Sequence, residues 1–374
     1  MKVCLISFNA YSLFNPGAGV TFGGTEIQIF NLARYLAGVK GLPVTVITGD
    51  FGQADLERNN QIELRKTFPP GENKSALERL GGYLRLFRAL WRTGATHHIV
   101  SPAGPALAMV ALYCMIFGKK LVYRTAHEMD CDGSYESAHG WRGRLFGFGL
   151  RRADAVVTQN EDHRRLLASG GVPSVVIRNG FFLRPQPARL AKTVDGLWVG
   201  RCVRWKNPHL FLDVVETFPQ LRFVMICPVQ EHEDVLFASV FGRARTFENL
   251  NFVESVPFSE VQAYFDAARF LIATSEAEGF PNSYLQACMG GTPIISYKVD
   301  PDGLIGRYNI GYCAAGNADR LIEAVRGLAE HEADWQTKSR SAARYVSENH
   351  NVMVEGEKWM SLIEELGRCR GPRR

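Results

Sequence analysis

No apolar stretch in this chain is long enough to cross a bilayer. Residues 103–117 come nearest, but they fall short of the roughly 20 residues a spanning helix needs and are cut by Pro105. The opening residues Met1-Lys2-Val3-Cys4-Leu5-Ile6-Ser7-Phe8 read as a strand, with neither a long apolar region nor a cleavage site, so no signal peptide is expected. The eight cysteines, at positions 4, 114, 131, 202, 227, 288, 313 and 369, form no C-x-x-C pair. Several sit inside apolar runs such as Val224-Met225-Ile226-Cys227, the pattern of buried reduced thiols rather than of a disulfide framework or a zinc site. A cytoplasmic protein is the expectation. No strand leads into G-x-G-x-x-G, which disfavours a nicotinamide oxidoreductase. The basic residues accompany no recognisable nucleic-acid-binding module, so no nucleic-acid partner is expected. A strong excess of one charge is also missing: 43 Lys and Arg against 38 Asp and Glu leave a formal net charge of +5.

What is present is an ordinary globular composition, 46% hydrophobic and 22% charged. At 374 residues the chain exceeds the size at which a single core stops growing, so two domains are expected. In the first half, short apolar runs at 3–8, 44–48, 98–101, 120–125, 155–158 and 174–178 alternate with helical patterns at 25–37, 75–92, 106–117 and 161–169. That alternation predicts parallel βαβ units with helices on both faces of a sheet. The Pro-rich, aperiodic stretch Leu183-Arg184-Pro185-Gln186-Pro187-Ala188-Arg189 reads as a linker. Alternation then resumes, with runs at 197–200, 222–227, 251–254, 270–273 and 293–297 and helices at 209–217, 235–241, 259–267 and 283–289. From residue 319 the pattern is helical to a basic tail. The boundaries are 1–183 for a first Rossmann-like domain, 184–193 for the linker, 194–351 for a second Rossmann-like domain and 352–374 for a last helix.

Basic residues concentrate in two segments, 83–92 and 141–152. A helix over 83–92 places Arg85, Arg88 and Arg92 on one side and Tyr83, Leu86 and Leu90 on the other. Two readings stay open: a core helix with a solvated basic face, or a face lying on anionic lipid. The second would hold the protein peripherally on the inner face of the cytoplasmic membrane.

The densest chemistry lies in Ser275-Glu276-Ala277-Glu278-Gly279-Phe280-Pro281-Asn282-Ser283 and its continuation to Gly290-Gly291-Thr292-Pro293. An apolar run feeds a turn, then a short helix stopped by Gly290-Gly291, then another apolar run, which together predict strand, turn, helix and strand. The turn presents Glu278 beside the unpaired amides of a helix start, where an anion is stabilised. A phosphate-bearing ligand with hydroxyls suits such a turn.

These residues resemble the donor-site motif of family-4 glycosyltransferases, retaining enzymes that move a sugar from a nucleoside diphosphate. In that family a Glu, seven residues and a second Glu frame Gly-Phe-Gly or Gly-Phe-Pro and a helix start. Glu278 fills the first position, and Gln286 stands at the second. Fainter echoes follow in the family's order. Thr21-Phe22-Gly23-Gly24-Thr25-Glu26 is similar to its Gly-Gly loop, and residues 121–128 resemble a strand ending in its His. Ala153-Asp154-Ala155-Val156-Val157 and Val176-Ile177-Arg178-Asn179-Gly180 come next, and Val199-Gly200-Arg201 with Lys206-Asn207 resembles its Arg and Lys pair.

The resemblance implies an α/β protein of two Rossmann-like domains facing a central cleft, the GT-B type. The acceptor would be held by the first domain and the nucleotide sugar by the second, with the last helix crossing back. The implied activity is retaining transfer of a hexosyl unit from a UDP- or GDP-linked sugar to a glycan or lipid-linked acceptor, in cell-surface polysaccharide or glycolipid synthesis. The nucleotide sugar is a co-substrate. No cofactor and no essential metal are expected, because the Arg and Lys pair neutralises the diphosphate. Asp130-Cys131-Asp132 and Asp300-Pro301-Asp302 match the metal-holding Asp-x-Asp pattern of a different glycosyltransferase fold only at the level of chance, and His97-His98 reads as a buried strand start. A non-catalytic nucleotide-sugar-binding subunit and a nucleotide-sugar epimerase are the alternatives on the same architecture.

Under the resemblance His127 meets the donor sugar as a hydrogen-bond donor, Glu278 touches the sugar, and Arg201 and Lys206 take the diphosphate. Gln286 would meet the ribose hydroxyls, and Gly23, Gly24, Asn282 and Ser283 would line the donor with amides. Each has a plainer reading. Gly23-Gly24 suits any strand-to-helix turn, and Thr25-Glu26-Ile27-Gln28 fits a capping box. A His after a strand is often a rim residue, Arg204 rivals either cation, and the basic loop can be merely solvated. Glu278 can complement a helix dipole, and Ser283-x-x-Gln286 fits a capping box of its own. Gln286 also gives up charge-assisted bonds, which are roughly twice as strong as neutral ones.

Overall fold

The computed structural model describes residues 1–19, 22–69, 76–101, 103–184, 192–230 and 232–368. Contacts divide the chain into two compact units, Met1–Phe182 with Val352–Arg374, and Leu183–Asn351. Of the linker read at 184–193, residues 185–191 lie outside the described residues.

Unit 1 contains β1 (Val3–Ile6), α1 (Tyr11–Phe14), α2 (Gly24–Arg34), β2 (Val44–Thr48), β3 (Leu56–Asn59), β4 (Ile62–Lys66), α3 (Ala76–Thr93) and β5 (His97–Val100). It continues through α4 (Pro105–Phe117), β6 (Lys120–Arg124), α5 (Ser134–Ala138), α6 (Gly140–Arg152), β7 (Ala155–Thr158), α7 (Glu161–Ser169) and β8 (Val175–Val176). The strand order is β3-β4-β2-β1-β5-β6-β7-β8, parallel except for the β3–β4 hairpin. The interior strands β1, β2 and β5 are buried along their whole length because both faces of the sheet are covered. Leu5, Ile99 and Val122 face one core with α2, while Cys4, Ile6 and Tyr123 face another with α3, α4 and α6.

Two parts of unit 1 differ from the sequence reading. The hairpin β3–β4, turned at Asn60 with φ 53°, adds a polar edge strand, Leu-Glu-Arg-Asn, too poor in apolar residues to signal itself. Helix α6 occupies the basic segment 141–152, and α5 before it is a helix that the sequence pattern does not signal. On α6, a Cβ at Gly149 would lie 2.7 Å from Leu107 Cγ and 2.8 Å from the Ala108 nitrogen, so α6 lies flush on α4 only because that residue has no side chain. In α3, Leu86 and Leu90 are buried as the spacing predicts and Tyr83 is half-buried, but the basic side also exposes Leu84 and Trp91.

Unit 2 contains β9 (Val194–Val199), α8 (Pro208–Thr217), β10 (Phe223–Ile226), α9 (Asp234–Ala244), β11 (Leu250–Val253), α10 (Phe258–Ala267) and β12 (Ala268–Ala273). There follow α11 (Asn282–Met289), β13 (Ile294–Ser296), α12 (Leu304–Arg307), β14 (Gly311–Cys313), α13 (Ala318–Glu330) and α14 (Glu332–Asn349). The order is β11-β10-β9-β12-β13-β14, all parallel. Strand β14 is short and was not predicted; a Cβ on its Gly311 would sit 1.8 Å from the Ile294 carbonyl oxygen. The winding reverses between β9 and β12, and open α/β sheets take ligands outside the carboxyl ends of strands at such a reversal.

The last helix, α15 (Val352–Arg368), belongs to unit 1. The Val352 N–H donates to the Phe181 carbonyl at 2.9 Å, and the Glu355 carboxylate accepts the Arg178 N–H at 2.8 Å. Trp359, Met360, Ile363 and Leu366 complete the core around α2.

Candidate functional site

Neighbouring strands β9 and β12, in register at Leu197 and Leu271, send two loops out side by side from their carboxyl ends. The loops are tied together at three points. The Glu276 N–H donates to the Trp205 carbonyl at 2.8 Å, the Trp198 indole N–H donates to Thr274 Oγ1 at 2.9 Å, and that hydroxyl donates to the Lys206 carbonyl at 2.7 Å. Between the loops, Lys206 Nζ forms an ion pair with Glu278 Oε1, an oxygen that also accepts the Ser275 hydroxyl at 3.0 Å. The two charged side chains are only 16% and 18% exposed. A Cβ at Gly200 would lie 3.1 Å from the Trp198 ring, so glycine lets that loop pass closely over the indole.

Arg201 stands on the same loop, its Nη1 donating to Gln230 Oε1 beyond β10 at 3.5 Å. Arg204 is exposed and, among the described residues, makes no ion pair, so Lys206 rather than Arg204 meets the carboxylate. Glu276 instead faces Lys298 at 3.5 Å in an exposed pair. Glu278 therefore has a partner from another loop, which a residue merely complementing a helix dipole does not need.

The loop of Glu278 runs into α11, whose N-cap is Pro281 and offers no side-chain oxygen. Asn282 is buried and Ser283 half-buried at its first turn. The helix starts before Ser283, so the capping box read at Ser283 and Gln286 does not form. Gln286 lies in the second turn, 6% exposed, and its carbonyl accepts Gln262 Nε2 at 2.9 Å. Among the described residues its side-chain amide makes no hydrogen bond. The Tyr284 hydroxyl fixes α11 by donating to Val299 O at 2.9 Å.

In unit 1 the capping box also differs from the reading. Helix α2 begins at Gly24, and the Glu26 carboxylate, not Gln28, reaches back to accept the Gly23 N–H at 2.8 Å. Gln28 accepts the Gly180 N–H, and Asn31 donates to the Gly180 carbonyl, both at 2.9 Å. Gly23 has φ −118°, a conformation any residue adopts, so dihedral need does not explain glycine there.

His127 emerges beyond β6 in extended backbone. Its Nδ1 accepts the Met129 N–H at 3.3 Å, which places the ring proton on Nε2 and makes that atom a donor. The loop is held by Asp130, whose buried carboxylate accepts Ala126 N–H at 2.7 Å, His127 N–H at 3.1 Å and the Tyr123 hydroxyl at 3.0 Å. Burial pushes the Asp130 carboxyl up. Asp130 is thus committed inside the loop, and Asp300 Oδ1 accepts the Ile305 N–H at 2.9 Å. Among the described residues no group of three or more His, Cys, Asp or Glu side chains could hold a metal ion.

Sequence reasoning missed His163. It lies buried on α7, its N–H donating to Asn160 Oδ1 at 2.8 Å, and its pKa is lowered to about 4, first by burial and then by the charge of His127. The capping pattern at Asn160 was the one local signal, and it says nothing about what the imidazole faces. Arg124 was missed too. It is buried, reaches Asn179 Oδ1 and has no carboxylate partner among the described residues; burial lowers its pKa to about 10. Of the residues singled out from the sequence, the structure thus joins Lys206 to Glu278, sets Arg201 on the same loop, and puts Asn282, Ser283 and Gln286 on the helix that follows. Gly23, Gly24 and His127 lie in unit 1.

Residues 22–183 match the model of Glycosyltransferase Family 4, and residues 193–331 match that of Glycosyl transferases group 1. No curated protein is matched by the sequence. Among solved structures, a sucrose-phosphate synthase from Thermosynechococcus elongatus is similar at 16% identity and TM-score 0.77, covering 98% of this chain and 99% of that one. HepE of Anabaena, in complex with UDP and glucose, is similar at 16% identity and TM-score 0.76, covering 97% and 99%. A TarM variant of S. aureus, in complex with fondaparinux, alpha-GlcNAc-glycerol and UDP, is similar at 11% identity and TM-score 0.72, covering 96% and 99%. Identities this low carry the fold, which is GT-B, and nothing finer.

Proposed function

The chain belongs among the family-4, group 1 glycosyltransferases, with one family model on each unit, and from that premise we propose that it moves a hexosyl unit from a nucleoside-diphosphate sugar to a glycan or lipid-linked acceptor with retention at the anomeric carbon. The acceptor class would place it in cell-surface polysaccharide or glycolipid synthesis. UDP is the first nucleotide to test and GDP the second, because the similar HepE and TarM structures are complexes with UDP.

The Lys206–Glu278 pair at the carboxyl ends of β9 and β12 carries this reading. It sets an ammonium and a carboxylate side by side at the reversal of strand order, where a diphosphate ester with hydroxyls needs one of each. Lys206 and Arg201 would neutralise the charge that grows on the departing diphosphate, Lys as a compact charge and Arg as a planar fork. Glu278 would accept sugar hydroxyls in charge-assisted bonds. Gln286, its amide not engaged by any described residue, would accept one ribose hydroxyl and donate to the other, and the first-turn amides at Asn282 and Ser283 would face phosphate. His127 would donate from Nε2 to the sugar, and Gly23 and Gly24 would admit the donor close to the backbone.

Incubation with UDP- and GDP-hexoses is expected to give slow donor hydrolysis, or a raised melting midpoint with one nucleotide, and NMR of the first product formed to show the donor's own anomeric configuration. No response to any donor would overturn the proposal, and an inverted anomer would overturn retention. The second reading, a non-catalytic nucleotide-sugar-binding subunit, is favoured by Gln286 in the place of the family's Glu. It predicts that Gln286→Glu leaves donor affinity unchanged and turnover absent. Isomerised donor without acceptor would instead identify an epimerase.

A further inference from the structure

Helices α3, α4 and α6 lie over one face of the unit 1 sheet and share a core through Leu86, Val110 and Phe146. Their inner sides account for the apolar residues that helical spacing predicts. The outer sides are apolar as well. Leu84 and Trp91 are each 64% exposed on α3, Met115 and Ile116 are 51% and 59% exposed on α4, and Trp141 and Phe148 are exposed on α6. These three helices carry more than half of the large apolar side chains exposed among the described residues. Helix α4 has no charged residue at all, although its last turn reaches solvent.

The charge on the same helices is almost all of one sign. Helices α3 and α6 carry eight arginines against a single carboxylate, Glu78. Arg85, Arg88, Arg92 and Arg144 make no ion pair among the described residues. On α3 the positions 84, 88 and 91 fall on one stripe, so leucine, arginine and tryptophan share a surface. A solvated basic face would not spend leucine and tryptophan there, and an apolar contact with neutral protein would not gather unpaired arginines.

We propose that this face docks on an anionic lipid bilayer, with Arg85, Arg88, Arg92 and Arg144 on lipid phosphates and the α4 end, Trp91 and Trp141 entering the headgroup boundary, while Arg151 stays paired with Glu136. Guanidinium groups and tryptophans interleaved with aliphatic side chains are the chemistry of a helix lying in that boundary. No helix among the described residues is long and apolar enough to cross a membrane, so the contact is one of lying on the surface. At 18 residues, α3 provides a contact about 27 Å long. The inference rests on this surface alone and is independent of the sugar chemistry proposed above.

The test is flotation of the full chain with phosphatidylcholine vesicles, with and without phosphatidylglycerol. Binding is expected to be at least about tenfold tighter with the anionic lipid, to weaken as salt rises, and to shift tryptophan emission to the blue. Brominated acyl chains should quench Trp91 and Trp141 in the unmodified chain, a readout that needs no variant. Leu84→Asp with Ile116→Asp should abolish binding, and Arg85→Glu with Arg88→Glu should remove the anionic preference, both with the melting midpoint unchanged. Equal binding to neutral and anionic vesicles, no bromine quenching, or a solution dimer that Leu84→Asp dissolves and that ignores vesicles would each overturn it.

Discussion

Glu278 accepts from both Lys206 and Ser275, so a methionine at 206 leaves a largely buried carboxylate with one hydroxyl. Removing one partner of such a pair costs more than removing both, because the remaining charge is stranded. Lys206→Met is expected to cost about 1–3 kcal/mol in urea unfolding, and Lys206→Met with Glu278→Gln to recover part of it, giving a measurable coupling. Each single variant should also cut donor turnover by about a hundredfold if the pair serves the departing diphosphate. A pH effect belongs to His163. Its pKa falls from the ordinary 6.5 to about 4, so below pH 6.5 the unfolded chain takes up a proton that the folded chain refuses. Its contribution is therefore whole above pH 6.5 and is lost as the pH drops toward 4, by at most about 3 kcal/mol. Buried His98, lowered to about 3, acts in the same direction. The check is the difference between the native chain and His163→Gln, whose stability should fall less steeply over that window.

At the scale of elements, the glycines of α6 make a test whose sign runs against helix propensity. Alanine normally stabilises an exposed helix by up to about 1 kcal/mol over glycine. Gly149→Ala should nevertheless destabilise the chain by about 1–3 kcal/mol, because its Cβ meets α4 backbone. Gly242→Ala, on an exposed site of α9 with nothing within 4 Å, should raise stability instead; urea midpoints of the two variants decide. The same helix shows why it was not legible: Gly-Trp-Arg-Gly-Arg-Leu-Phe-Gly-Phe-Gly has poor propensity, and only packing on α4 and Glu136 makes it helical. Buried strands such as β1, β2 and β12 announced themselves as apolar runs, whereas β3 and β14 depend on a neighbour. The site divides in the same way. Glu278 stood out in its Gly-Phe-Pro-Asn turn, but its partner lies 72 residues away and is brought there by the strand order that sets β9 beside β12. The two capping boxes failed because the caps fall two residues earlier, at Gly23 and Pro281 rather than Thr25 and Ser283, a shift that patterns of four residues do not fix.

For the whole molecule, the division of labour follows the contact units. Arg201, Lys206, Glu278, Asn282, Ser283 and Gln286 all belong to unit 2, whereas unit 1 needs α15 for its core. A chain ending at Asn351 should therefore lose the cooperative melting of unit 1, with Trp359 and Ile363 gone, and still show protection of unit 2 by nucleotide. Calorimetry with and without UDP measures both, and a single unaltered transition would contradict it. The return of α15 also fixes a timetable. A ribosome delivers every residue of unit 2 before it delivers 352–368, so the later half of the gene product can finish folding first. Unit 1 has to wait with Tyr35 and Leu36 uncovered, and during that interval nascent chains are open to chaperones and proteases.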